Sequence, residues 1–307
     1  MLKKLETFEP GPGLAYVLVM SAAFLWGMSI VIGRGVHEEI PPIGLSFWRW
    51  GLGALFLLPF VLMEVIAKAP LILRHLKLIV FMGAIQVGSS TLLFVAVNFT
   101  TAINASVINA SQPALTAVAA WLLVKDKINT VQGLGILVGF IGIVTIVFRA
   151  DLSVLVGLEL NGGDGLAVSA IIGWAVYSVL LRRIPKELGV TTTLFLILFT
   201  GSVTVLPFYI WESLTIRAVP FTVDTLIVFL VLGLVVSVAS IYVWNAGIRS
   251  IGPNKASIFL NLIPVSAALL AIIFLGEQLF AFHIIGGVLV AMGISLVIIR
   301  GMSKSEK

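Results

Sequence analysis

Residues 104–115 read "NASVINASQPAL", and residues 256–265 read "ASIFLNLIPV". The first stretch sets Asn104, Ser106, Asn109, Ser111, Gln112 and Pro113 within ten positions. The apolar run "TAVAAWLLV" (116–124) follows at once. The surroundings decide how such a stretch is read. Of the 307 residues, 60% are hydrophobic and only 11% are charged. The mean hydropathy is +1.16. A soluble domain carries about 25% charged residues to cover its surface, so the fold class is an all-α polytopic membrane protein. A helix rises about 1.5 Å per residue, and about 20 apolar residues cross the hydrocarbon.

On that measure ten spans are expected, at 14–33, 43–65, 77–98, 102–124, 130–148, 164–184, 191–211, 223–246, 254–275 and 281–300. Turn and charge signals separate them at "PP" (41–42), "KAP" (68–70), "KDK" (125–127), "NGGDG" (161–165), "RRIPK" (182–186) and "IGPNK" (251–255). The first apolar run follows Lys3 and Lys4 as a signal peptide would, but its length and the lack of a small-residue cleavage motif point to a retained helix. With both termini cytoplasmic, fifteen of the nineteen Lys and Arg fall inside, the other four being Arg34, Arg49, Arg149 and Arg217. That asymmetry follows the positive-inside rule. It also accounts for the basic balance without nucleic acid.

The two quoted stretches align at an offset of 151. Ala105, Ser106 and Pro113 match Ala256, Ser257 and Pro264. Further along, Gly135, Gly142 and Arg149 match Gly286, Gly293 and Arg300, and Asp126 faces Glu277. Upstream, Gly83, Ser90 and Ala96 match Gly233, Ser240 and Ala246 at 150, and Trp26 meets Trp174 at 148. The expected organisation is therefore two five-helix units, 1–150 and 151–307. An odd unit starts inside and ends outside, so the second copy is inverted. Inverted repeats let a carrier adopt two related states, open to opposite sides, around a midplane site.

Ten helices in inverted fives, "FWRW" (47–50) opening the second span, and the halves "ASVINASQP…KD…G" and "ASIFLNLIP…GE…G" resemble the drug/metabolite transporter superfamily, EamA type. The first half carries "KDK" where the second has Gly276–Glu277. The resemblance implies a secondary transporter of the inner or plasma membrane. It further implies outward movement of small polar metabolites such as amino acids.

Depth singles out the candidate site. Asn109, Gln112 and Asn261 fall near mid-span, where an unpaired amide is costly. Pro113 frees the carbonyl of Asn109, and such backbone is tolerated when it is buried in protein or faces water. Pro113 and Pro264 are read as matched hinges. The amides are read as lining a solvated cavity, interhelical hydrogen bonding being the plainer alternative. Trp26 and Trp174 lie near span centres, away from the interfaces where Trp collects. They either wall the site or fill volume. Gln86, Ser89 and Ser90 occupy mid-span three, where one of the three is expected to face a cavity. Ser240, Tyr242, Trp244 and Asn245 lie toward the end of span eight, Tyr242 and Trp244 having the alternative of interface anchors. Arg49 is read as an arginine snorkelling to the interface, or else as a fixed cation for a carboxylate. The glycines of spans five and ten are explained by close helix packing.

No Asp or Glu falls at the centre of a span, so facilitated or exchange transport, or protonation near an interface, is expected. The alternatives are a nucleotide-sugar or sugar-phosphate carrier, an intramembrane enzyme, and a non-transporting subunit. Cysteine is absent, and neither H-E-x-x-H nor a phosphate-binding loop occurs, which leaves no catalytic constellation and no cofactor. The expected partners are a small-molecule substrate and the lipid bilayer, with no nucleic acid. The expected state is a monomer or weak homodimer.

Overall fold

The computed structural model describes residues 10–36, 39–96, 98–100, 108–109, 111–126, 128–148, 161–275 and 280–302. Lys3, Lys4, Asn104, Ala105, Ser106, Lys127, Arg149, Gly276 and Glu277, singled out above, lie outside them. The described residues are helical or irregular, with no strand among them.

The helices start and stop where local chemistry dictates. α1 (Pro12–Val36) and α2 (Pro42–Ala67) open on a proline, whose fixed φ and missing N–H suit a first helical turn. After α3 (Leu76–Ala96), α4 is described from Gln112 to Val124. α5 (Thr130–Val147) and α6 (Gly162–Leu180) each begin with a capping box, Asn129 with Gln132 and Asn161 with Asp164. In both, side chain and backbone satisfy each other's orphan N–H groups. α7 runs Val190–Thr215 and α8 runs Val223–Ile251. α8 is π-helical from Val231 to Ala239. α9 (253–275) is broken into Pro253–Ser257, a 3-10 stretch Ile258–Asn261, and Leu262–Leu275. α10 is Ala281–Met302.

Among the described residues, seven helices are long and apolar enough to cross a membrane by length and composition: α1, α2, α3, α5, α6 with its extension to Arg183, α7 and α8. Gln112–Val124 and Ala281–Val297 form shorter apolar helices. The segments carrying Pro113 and Pro264 both leave α-helical geometry just before the proline. Ser111 makes a turn whose N–H bonds Ile108 O, and Ile258–Asn261 is 3-10. The cause is the steric and hydrogen-bonding conflict proline imposes on the preceding turn.

Packing partners come in related sets. α1 packs on α8 and α9, while α6 packs on α3 and α4. α2 packs on α7 and α8, and α7 on α2 and α3. α5 pairs with α10. Glycine permits the tightest crossings. A Cβ on Gly135 would lie 2.8 Å from Gly293 O, and one on Gly286 would lie 2.6 Å from Gly142 O. Gly53 of α2 abuts Val238 and Gly233 O of α8, just as Gly201 of α7 abuts Val87 and Gly83 O of α3. Both α2 and α7 carry an internal proline, Pro59 and Pro207. Close backbone approach through small residues is how helices associate where lipid removes the hydrophobic drive. Opposite the packed faces stand large exposed side chains, among them Leu137 and Ile141 on α5, Phe208 and Trp211 on α7, and Val288 and Met292 on α10.

Candidate functional site

Three tryptophans from three helices meet in the interior. Trp26 of α1 lies 5.5 Å from Trp174 of α6, edge to face, and 5.1 Å from Trp244 of α8, measured between ring centroids. Trp26 and Trp244 are buried and Trp174 half-buried. The indole N–H of each is shut away from solvent with no acceptor. The Trp26 and Trp244 rings are brought together because α1 packs on α8.

Amides extend this pattern. Gln86 on α3 is fully buried, and neither its carbonyl nor its amide has a partner. One turn on, Ser89 places its hydroxyl against Gly173, beside Trp174. Gln86, Ser89 and Ser90 are all buried. Gln112 opens α4 with its Nε2 unpartnered, and Thr116 one turn later has an unpartnered hydroxyl. Asn261 is buried beside Gly139, at which a Cβ would come within 2.6 Å of its Nδ2, again without an acceptor. Tyr177 donates its hydroxyl hydrogen to Asn245 Oδ1 at 3.0 Å, leaving Asn245 Nδ2 unpaired. Asn109 is helical and half-buried, Pro113 is buried, Pro264 is half-buried, and Tyr242 packs half-buried on the core.

A buried polar group without a partner costs about 1–3 kcal/mol, and native interiors hold few. Several such groups on α1, α3, α4, α6, α8 and α9 are therefore a chemical signature. Most of them are donors. What they suit is a polar species rich in acceptor oxygens, seated against flat aromatic faces. Among the described residues no three His, Asp or Glu stand together as a metal site would require.

Arg49 corrects one expectation. It does not snorkel. The side chain is 4% exposed, and its Nε donates to Ser237 Oγ on the π-helical stretch of α8. Ser237 passes its own hydrogen to Leu232 O at 2.6 Å. The guanidinium carbon sits 4.6 Å from the Trp50 ring centroid and 5.8 Å from that of Phe94. Backbone contact explains the burial: Gly233, lacking a side chain, lets α8 lie on the Arg49 carbonyl. The two rings offset about 0.5–2 kcal/mol each, less than the several kcal/mol that burying an ion costs.

The sequence named Trp244 with an interface anchor as the alternative, and it did not single out Trp50 or Glu212. Trp244 was placed near a helix end, but α8 runs to Ile251, which moves it inward by more than a turn. Trp50 is fully buried with an unpartnered N–H. Glu212 is buried and accepts from Ile43 N at 3.1 Å and Gly44 N at 2.7 Å, closing the start of α2. It lies just past the expected end of its span, so no depth argument reached it.

Comparison with known proteins agrees with this architecture. The model of the EamA-like transporter family matches twice, over residues 13–148 and 161–299. An uncharacterized transporter of Bacillus subtilis, YyaM, is 29% identical over 91% of this chain and 92% of its own length. A probable amino-acid metabolite efflux pump of Salmonella typhimurium is 23% identical over 90% of this chain and 92% of its own. A protein of known crystal structure superposes with a TM-score of 0.75 at 17% identity, covering 94% of this chain and 98% of the other, which speaks to the fold alone.

Proposed function

The chain belongs to the EamA-like transporter family, and on that premise we propose that it is a carrier exporting small neutral or zwitterionic metabolites, such as amino acids, by alternating access. It is a multi-pass membrane protein whose proposed home is the inner or plasma membrane, with both termini cytoplasmic. The proposed unit is a monomer or weak homodimer. The observation that carries the reading is the set of buried, unpaired donors drawn from both halves: Trp26, Gln86 and Gln112 from the first, Trp174, Trp244 and Asn261 from the second. Such groups are stable only if something polar can reach them. Pro113 and Pro264 supply matched breaks next to Gln112 and Asn261 about which the two states would differ.

Support for two inverted five-helix units comes from three directions. One family model matches each half. The crossing of Gly135 with Gly293 becomes that of Gly286 with Gly142 when the halves are exchanged, and the crossing of Gly53 on α8 becomes that of Gly201 on α3. Trp26 and Trp174, equivalent in sequence, touch each other, as residues astride a two-fold axis do. The name of the Salmonella relative favours amino-acid metabolites and outward movement.

A nucleotide-sugar or sugar-phosphate carrier needs several cations around a multiply charged ligand. Among the described residues the buried charged side chains are Arg49, Asp164 and Glu212, of which one is basic. The test is flux from proteoliposomes of the purified protein loaded with the twenty L-amino acids together. Loss of a subset from the lumen, slowed at least tenfold by Gln86→Leu, is the expected result. Retention of all twenty by protein that is folded and inserted would overturn the substrate class.

A further inference from the structure

We propose that Arg49, Ser237 and Trp50 form an anion site that takes the carboxylate of the transported molecule. The proposal rests on the carrier reading above and names the charged end of its substrate.

The site is made of donors without acceptors. Guanidinium carries five N–H groups. Nε is used by Ser237, and among the described residues no carboxylate or carbonyl receives the other four. The Trp50 indole N–H, on the residue whose ring lies 4.6 Å from the guanidinium, is buried with no acceptor either. Ser237 has its hydrogen committed to Leu232 O, so its oxygen fixes the Nε edge and leaves the terminal nitrogens to face a ligand. A planar fork of this kind matches a carboxylate two-on-two. One cation balances one negative charge, which separates a monocarboxylate from a phosphate dianion.

The local helix geometry fits a site rather than packing alone. Arg49 and Gly233 meet backbone to side-chain-free backbone where α8 turns π-helical. Such turns concentrate at functional positions. Ser237, Ser240, Ile241 and Trp244 are all buried and share one face of α8 by their spacing. Trp244 is thus two turns, roughly 10 Å, from Ser237 along the axis. A ligand anchored by its carboxylate at Arg49 has its remainder directed along this face toward the three tryptophans.

Binding is measured on detergent-purified protein by intrinsic tryptophan fluorescence, with acetate, glycine, L-leucine and L-leucinamide as probes at fixed ionic strength. Leucinamide keeps the amine and side chain and replaces the carboxylate with a neutral amide. The expected result is that wild type binds leucine at least tenfold more tightly than leucinamide. Arg49→Gln should remove that preference and Arg49→Lys restore part of it. If Arg49→Gln fails to fold, Trp50→Phe, which deletes one donor and keeps the ring, should weaken the carboxylates several-fold and leave leucinamide unchanged. Equal binding of leucine and leucinamide by wild type, no response to acetate, glycine or leucine, or a preference that survives Arg49→Gln overturns the anion site. Amino-acid flux in proteoliposomes is scored separately. Flux that treats acid and amide alike sinks the anchor and spares the carrier. Carboxylate binding without flux sinks the carrier and spares the anchor.

Discussion

Two buried charges meet α2 within five residues of each other, and their surroundings differ sharply. Glu212 meets the start of the helix, and both its oxygens receive backbone N–H groups, from Ile43 and Gly44. Those groups are orphans of the first turn, and the positive end of the helix dipole adds to their attraction. Arg49, about 7.5 Å further along the axis, has a hydroxyl and two ring faces. A carboxylate completed by the fold is architecture. A cation left incomplete by the fold points to a partner from elsewhere.

That contrast is open to attack by mutation. Glu212→Leu strands the buried N–H of Gly44 and the half-buried one of Ile43, so a loss of about 2–4 kcal/mol of stability is expected, read from the unfolding midpoint in detergent. Glu212→Gln, which keeps an acceptor, should lose less than half of that. Gly44→Ala pushes a methyl into Val219 beside Glu212. Overpacking of this kind costs about 1–3 kcal/mol, whereas Gly287→Ala, open on the same test, should be neutral or slightly stabilising. Arg49→Met should have the opposite sign to Glu212→Leu. Replacing an incompletely paired buried ion by an apolar side chain of similar volume is neutral or stabilising, here by about 1 kcal/mol. A loss of stability as large as that of Glu212→Leu would mean that Arg49 is architecture too. The smallest loss of stability belongs to Trp48→Phe, which removes the indole donor to Tyr209 Oη at 3.0 Å but keeps the ring among Phe47, Tyr209 and Phe221. About 0.5–1.5 kcal/mol is expected.

The legible part of the protein was set by composition, punctuation and matched positions. Apolar runs placed the described helix ends to within about five residues, the start of span four lying outside the described residues, and prolines at 41–42, 113 and 264 marked where helical geometry starts or fails. Trp26 and Trp174 were picked out by matched depth, and they touch. Gln86, Gln112 and Asn261 were picked out as polar groups at depth, and all are buried. Glu212 was missed because it lies past the expected end of its span; Trp50 was missed, and Trp244 left between site and interface anchor, for another physical reason. In water the buried side of a helix is the apolar side, so periodicity reveals it. In lipid both sides are apolar, and nothing in the sequence says that Trp50 faces inward while Trp211, 53% exposed, faces outward. Arg49 was misjudged by the same gap: its depth suited snorkelling, and its direction was unknown.

The amino-acid order determined the class and the positions of the described helices, because both follow from short-range properties: transfer of apolar side chains into lipid, and the backbone limits of proline and glycine. Which faces pair, which polar groups are left wanting a partner, and which charge is capped depended on helices distant in sequence packing together. Those outcomes are sums over contacts between segments as distant as Pro10 and Ser250, 240 residues apart, and no local pattern along the chain encodes them.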